Sequence, residues 1–178
     1  AFLIDEMLPR LEAEFRLLDG REHRAVFGKS SGGYGAITHG LLRADAWGAV
    51  ACHSGDMAFD LCYRSHLPVT ARFVVAHGGV AGFLAAFAAA PKTTDDWMSH
   101  MEMVAMAASY DPDPQAPKGI RLPVDLATAE MDEERWAAWK AHDPLELVQQ
   151  ERCRANLRSL RGLYLDCGVD DQYHLVHG

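Results

Sequence analysis

The four cysteines, Cys52, Cys62, Cys153 and Cys167, form no C-x-x-C pair and have no His-x₃-His partner, so a zinc site is unsupported and no metal is expected. Cys52 and Cys167 lie inside apolar, strand-like runs and read as free buried thiols, compatible with a reducing compartment. Positive charge is also scarce. Lys and Arg number 17 against 25 Asp and Glu, a net charge of −8, and no basic run interleaved with aromatics occurs. That balance argues against a nucleic-acid partner. The longest apolar stretch, Gly78 to Ala90, is alanine- and glycine-rich and too short to span a bilayer, so no membrane partner is expected. The opening residues, Ala1-Phe2-Leu3-Ile4-Asp5, lack the basic-then-apolar order of a signal peptide. Oligomeric state is left open.

What is present is an α/β pattern. Phe2, Leu3, Met7, Leu8, Leu11, Phe15 and Leu18 follow a helical stripe, divided or kinked at Pro9 and ended by Asp19-Gly20. Ala25-Val26-Phe27 is a short continuous apolar run, expected as a strand covered on both faces. Gly32 to Leu42 has the small residues of a helix packed closely on a sheet. Residues 47–52 and 163–167 read as two further strands. Strand–helix–strand order predicts a mostly parallel sheet with flanking helices. One domain over 1–178 is expected, with a helical insertion at 56–160 between the second and third strands. Helical patterns inside it cover 79–90, 95–109 and 132–140. Met98, Met101, Met103 and Met106 read as core packing rather than a pocket lining.

The segment "AVFGKSSGGYGA" (25–36) carries the chemistry. Gly28-Lys29-Ser30 has the ending of a phosphate loop, but the pattern G-x-x-x-x-G-K-[ST] needs glycine at position 23, which is His23. The strand also runs straight into Gly28, leaving no loop. A dinucleotide fingerprint fails as well, because Gly33-x-Gly35 is followed by Thr38. G-x-S-x-G over Gly28–Gly32 fits instead: a strand turning sharply into a helix, its central serine strained and its flanking residues small. Ser30 is thus the candidate nucleophile and needs a base, an orienting acid and oxyanion donors. The N–H of Ser31, opening the helix, supplies one donor.

The acid is expected past the third strand, where Asp171 is preferred and Asp170 held in reserve. Asp166, inside the strand, reads as a structural hydrogen-bond partner. Lys29, His53 and Ser54 are candidate pocket residues, His53 more readily a pocket or surface histidine than the base. The order Ser, acid, His leaves only His174 and His177, too close to Asp171 to reach back to Ser30. The chain is expected to be cut at both ends, with the general base beyond Gly178.

"FGKSSGGYGA", "WGAVACHSGDM", "AHDPLELV" and "LYLDCGVDDQY", in that order, resemble the esterase family of α/β-hydrolases that includes esterase D (S-formylglutathione hydrolase), feruloyl esterases, enterochelin esterases and the antigen 85 mycolyltransferases. The resemblance implies a partial α/β-hydrolase fold, Ser30 as nucleophile, Asp171 as triad acid and Ser31 N–H in the oxyanion hole. It implies a small-molecule ester or thioester as substrate and no cofactor. Acyl transfer to an alcohol would use the same residues. A non-catalytic module of the same fold is the rival from another class.

Overall fold

The computed structural model describes residues 2–90 and 95–178. They form two compact units, one from the residues up to Met57 together with Pro144–Gly178, the other Ala58–Asp143.

The first unit holds a three-stranded, all-parallel sheet, β1 (Ala25–Lys29), β2 (Ala49–His53) and β3 (Gly162–Asp166), in that spatial order. Its helices are α1 (Leu8–Glu14), α2 (Ser31–Leu42), α8 (Pro144–Leu147) and α9 (Glu151–Arg158). Ala36, Ile37 and Leu41 of α2 pack with Val50 and Cys52 of β2, Leu147 of α8 and Cys153 of α9. Each large aliphatic side chain buried here contributes about 1.5–3 kcal/mol. Gly40 brings α2 close to this layer: a Cβ there would lie 3.0 Å from Val50 and 3.3 Å from Leu157. The end of α2 is tied to α9 by Asn156 Nδ2, which donates to Leu41 O at 2.7 Å and satisfies a carbonyl the helix cannot. These elements are those of part of an α/β-hydrolase fold.

Two expectations are corrected in this unit. The stripe from Phe2 to Leu18 is not one helix: a π-helical turn (Leu3–Met7) leads into α1, which stops at Glu14 with Phe15 extended. Pro9 sits in the first turn of α1, directly after the π-helical turn, where it has no N–H to give to the turn before it. The apolar residues beyond, Leu17 and Leu18, are 51% and 69% exposed, so their spacing marks no buried face. The second correction concerns β1, which is covered on one face only among the described residues. Phe27 is 81% exposed, and Tyr164 on the same side of β3 is 58% exposed. A continuous apolar run does not tell a strand buried on one face from one buried on two.

The second unit is helical: α3 (Phe59–Cys62), α4 (His66–Ala76), α5 (Gly79–Ala89), α6 (Asp95–Tyr110) and α7 (Glu133–Lys140). The chain bends by 80° between α4 and α5, through Gly78 and Gly79 at φ of 83° and 79°. Leu67, Val74, Phe83, Val104 and Ala107 form its interior, alongside Phe73 and Trp97 with ring centroids 5.1 Å apart. Of the methionine series, Met103 is buried and Met98 exposed. Asp132 caps α7 by accepting from Arg135 N at 3.1 Å. Arg135 reaches Asp111 and Asp113, both at 2.6 Å, and so pins the proline-rich loop. Among the described residues no single helix is long and apolar enough to cross a membrane.

The ends of this unit are closed by one carboxylate. Asp143, buried at 2% exposure, accepts from Ala58 N at 3.1 Å and Phe59 N at 2.7 Å. Removing it leaves buried amides without that acceptor, at about 1–3 kcal/mol for each unsatisfied group. Asp143→Ala is therefore expected to lower the urea midpoint by an amount equivalent to about 2–4 kcal/mol, and Asp143→Asn, which keeps one acceptor, by less than half of that. Equal stability of both variants and the parent contradicts this role.

Candidate active site at the carboxyl end of the sheet

The sequence turns from β1 into α2 within one residue, and Ser30 is that residue. Its backbone sits at φ 56°, ψ −128°, a region that residues with a Cβ rarely adopt and that costs about 1–3 kcal/mol. The corner is held from both sides. Ser30 N donates to His53 O at 3.0 Å, and Ser30 O accepts from Tyr34 N at 2.9 Å to begin the helix. Gly28 admits the return of the chain: a Cβ there would lie 2.2 Å from Gly32 O. Gly33 sits against the backbone beyond β2, where a Cβ would be 2.9 Å from both Gly55 Cα and His53 O. Gly32 and Gly35 differ from the expectation that closeness explains them, because a Cβ on either would meet nothing within 4 Å.

The N–H groups in the first turn of α2, Ser31 among them, have no intrahelical acceptor and carry the positive end of a 12-residue helix dipole. Ser31 Oγ turns aside to Asp56 Oδ2 at 3.5 Å. Ser30 Oγ has no hydrogen-bond partner among the described residues.

The parallel register brings the last residues of the three strands into one row, Lys29 beside His53 and His53 beside Asp166. Alternation along a strand puts all three side chains on the face opposite α2. His53 Nδ1 meets Asp166 Oδ1 at 2.5 Å, while Asp166 Oδ2 accepts from Tyr164 Oη at 3.0 Å. That hydrogen bond to Asp166 pushes the Tyr164 phenol above its usual range and keeps it protonated as a donor. Lys29 is exposed and makes no ion pair among the described residues. Ser54, at φ 46°, turns the chain after β2 and donates its N–H to Asp166 O at 2.8 Å.

Asp171 lies in the loop after β3, where its Oδ1 accepts from Tyr173 N at 2.9 Å and Leu175 N at 3.1 Å. Asp170 is exposed beside it. No histidine ring is bonded to either carboxylate among the described residues, and only the backbone N–H of His174 donates to Asp171 O, at 3.2 Å. His174 and His177 stack on each other with centroids 6.1 Å apart. Thus the structure brings Ser30, Ser31, Lys29, His53, Ser54 and Asp166 together at one rim. The Asp166–His53 pair escaped the sequence reading, because only strand register places residues 113 positions apart side by side.

At the same rim a cleft of about 180 Å³ opens between the ends of β2 and β3, lined by Cys52, Gly55, Met57, Leu165, Asp166 and Cys167, among others. Burial pushes the Cys52 thiol above its ordinary range, against the opposing pull of a hydrogen bond with Gly55, so it stays protonated. A larger cavity of about 550 Å³ lies within the helical unit, and none of the expected site residues lines it. No group of three or more His, Cys, Asp or Glu able to hold a metal occurs among the described residues.

A parallel strand thus enters a helix through a serine in a rarely adopted backbone conformation, with helix amides behind it. A family profile described as "Putative esterase" matches residues 1–175. The chain belongs to this esterase family. It is by membership an esterase-type hydrolase, and the match runs through both the corner and the loop after β3. A search of curated proteins returns no match.

The corner's geometry has a direct consequence for stability. Gly28→Ala forces backbone apart and is expected to cost more than about 2 kcal/mol by urea denaturation. Gly35→Ala, in open helical surroundings, is expected to be neutral or to stabilise by up to about 1 kcal/mol. Similar stabilities for the two variants contradict the close approach.

Proposed function

We propose that this chain carries the site of a serine esterase acting on small carboxylic esters or thioesters. The supporting observation is the backbone of Ser30, at φ 56° and ψ −128° between β1 and α2, which holds the hydroxyl out at the rim of the sheet. Ser30 Oγ attacks the ester carbonyl and a base takes its proton. The N–H of Ser31, with the dipole of α2, stabilises the oxyanion. The tetrahedral intermediate collapses with loss of the alcohol or thiol, and water releases the acid from the acyl-enzyme. The family's chain order assigns the orienting carboxylate to Asp171, with Asp170 next to it, and draws the histidine from outside residues 1–178. Lys29, His53 and Ser54 border the approach to Ser30. This chemistry calls for no cofactor.

Acyl transfer to an alcohol differs only in what resolves the acyl-enzyme, so product analysis with and without an acceptor alcohol separates the two. A non-catalytic module predicts no covalent chemistry at all. An alkyl fluorophosphonate is therefore expected to label Ser30 in the product of the whole gene and to leave the Ser30→Ala variant unlabelled. Labelling that persists in Ser30→Ala, read by peptide mass spectrometry, overturns the assignment.

A further inference from the structure

The cavity of about 550 Å³ in the helical unit plays no part in the reading above. We propose that it binds a small organic cation, an amine carried on an apolar body. The proposal stands independently of Ser30 and of the chemistry at the sheet rim.

The cavity's volume falls within the roughly 300–1,000 Å³ of small-molecule sites. Val80, Leu122 and Val124 are buried and form its floor, so the inner surface is apolar. Its wall is a loop braced by its own hydrogen bonds. Val124 pairs with Met131 in an antiparallel bridge, Asp125 N donates to Glu130 O at 2.8 Å, and Asp132 N donates to Pro123 O at 3.1 Å. Asp125 closes the turn between them, its Oδ1 accepting from the N–H groups of Ala127 and Thr128, both at 2.8 Å. A site framed before its ligand arrives loses less entropy on binding.

Charge selects the ligand. Asp125, Glu130 and Asp132 line the cavity together with one cationic side chain, Arg121. Arg121 is already engaged, lying 3.4 Å from Asp132 Oδ2 and 3.8 Å from Asp113 Oδ2. The N–H groups of Thr128 and Ala127 hold the Asp125 carboxyl below its ordinary range, so it stays ionised. Glu130 stands exposed at the mouth, its backbone N–H held by Thr128 Oγ1 at 3.2 Å, and its carboxylate has no partner among the described residues. The head of α5, Gly78–Ala81, lines the same cavity with the opposite polarity. That helix end carries about half a positive charge, less than the excess of carboxylate over guanidinium, so the field favours a cation over an anion.

The test titrates the 178-residue chain with phenylbutylamine and with phenylbutyrate, one apolar body with opposite charges, by isothermal titration calorimetry at neutral pH. The amine is expected to bind saturably, about tenfold more tightly than the acid. Glu130→Gln should weaken amine binding about threefold to fivefold, the scale of a partly exposed ion pair. Ala81→Phe, which sends a ring into the cavity from the exposed side of α5, should abolish it. Asp19→Asn, which removes an exposed carboxylate from the other unit, should leave it unchanged. Urea midpoints check that each variant is folded. Phenylbutyrate binding as tight as the amine's overturns the proposal. So does amine binding indifferent to Glu130→Gln or to Ala81→Phe, and so does the lack of saturable amine binding at millimolar concentrations.

Discussion

The backbone at Ser30 is the constraint on which the rest of the site depends. A residue with a Cβ at φ 56°, ψ −128° does not stay there unaided. Its cost of about 1–3 kcal/mol is offset by what lies on either side: the β1–β2 ladder before it, and after it a helix whose Ile37 and Leu41 are anchored in the sheet-side core. The glycines serve the same end. Gly28 lets the helix return over the strand, and Gly33 lets it settle against Gly55 and the carbonyl of His53. Packing and site geometry are thus one set of contacts, and loosening α2 from the sheet would release the corner.

From that anchoring follows the chemistry of the rim. In a parallel sheet all strands end on the same side, so their last side chains and the loops beyond them collect there. Here the collection is Lys29, His53 and Asp166 in a row, helix amides at the head of α2, and the loop bearing Asp171. The two aspartates differ in what occupies them. Asp166 meets an imidazole on the neighbouring strand and a phenol on its own, whereas Asp171 organises its own turn through backbone amides. Both lie in the segment after α9, and their surroundings set them apart.

Much of this was legible in the chain. Ala25-Val26-Phe27 running into Gly28 located β1 and the corner, because the strand signal and the small flanking residues are local properties. The apolar run expected as a strand at 47–52 and the helical pattern expected at 95–109 appear as β2 (Ala49–His53) and α6 (Asp95–Tyr110), with ends displaced by no more than two residues. What escaped depends on neighbours in space. Phe27 looks buried by type and is 81% exposed, since pattern does not report how many faces are covered. Gly32 and Gly35 looked like contacts, but the close approaches fall at Gly28, Gly33 and Gly40. Asp166 looked structural until register set it against His53.

The most direct measurement of the central claim compares the stabilities of Ser30→Gly and Ser30→Ala by urea denaturation. At an ordinary helix or strand position alanine is favoured over glycine by about 0.5–1 kcal/mol. At a corner with φ of 56° the order inverts, and the glycine variant is expected to be the more stable by about 1 kcal/mol. An alanine variant as stable as the glycine variant, or more so, would mean that residue 30 bears no strain and that the account of the site built on it is wrong.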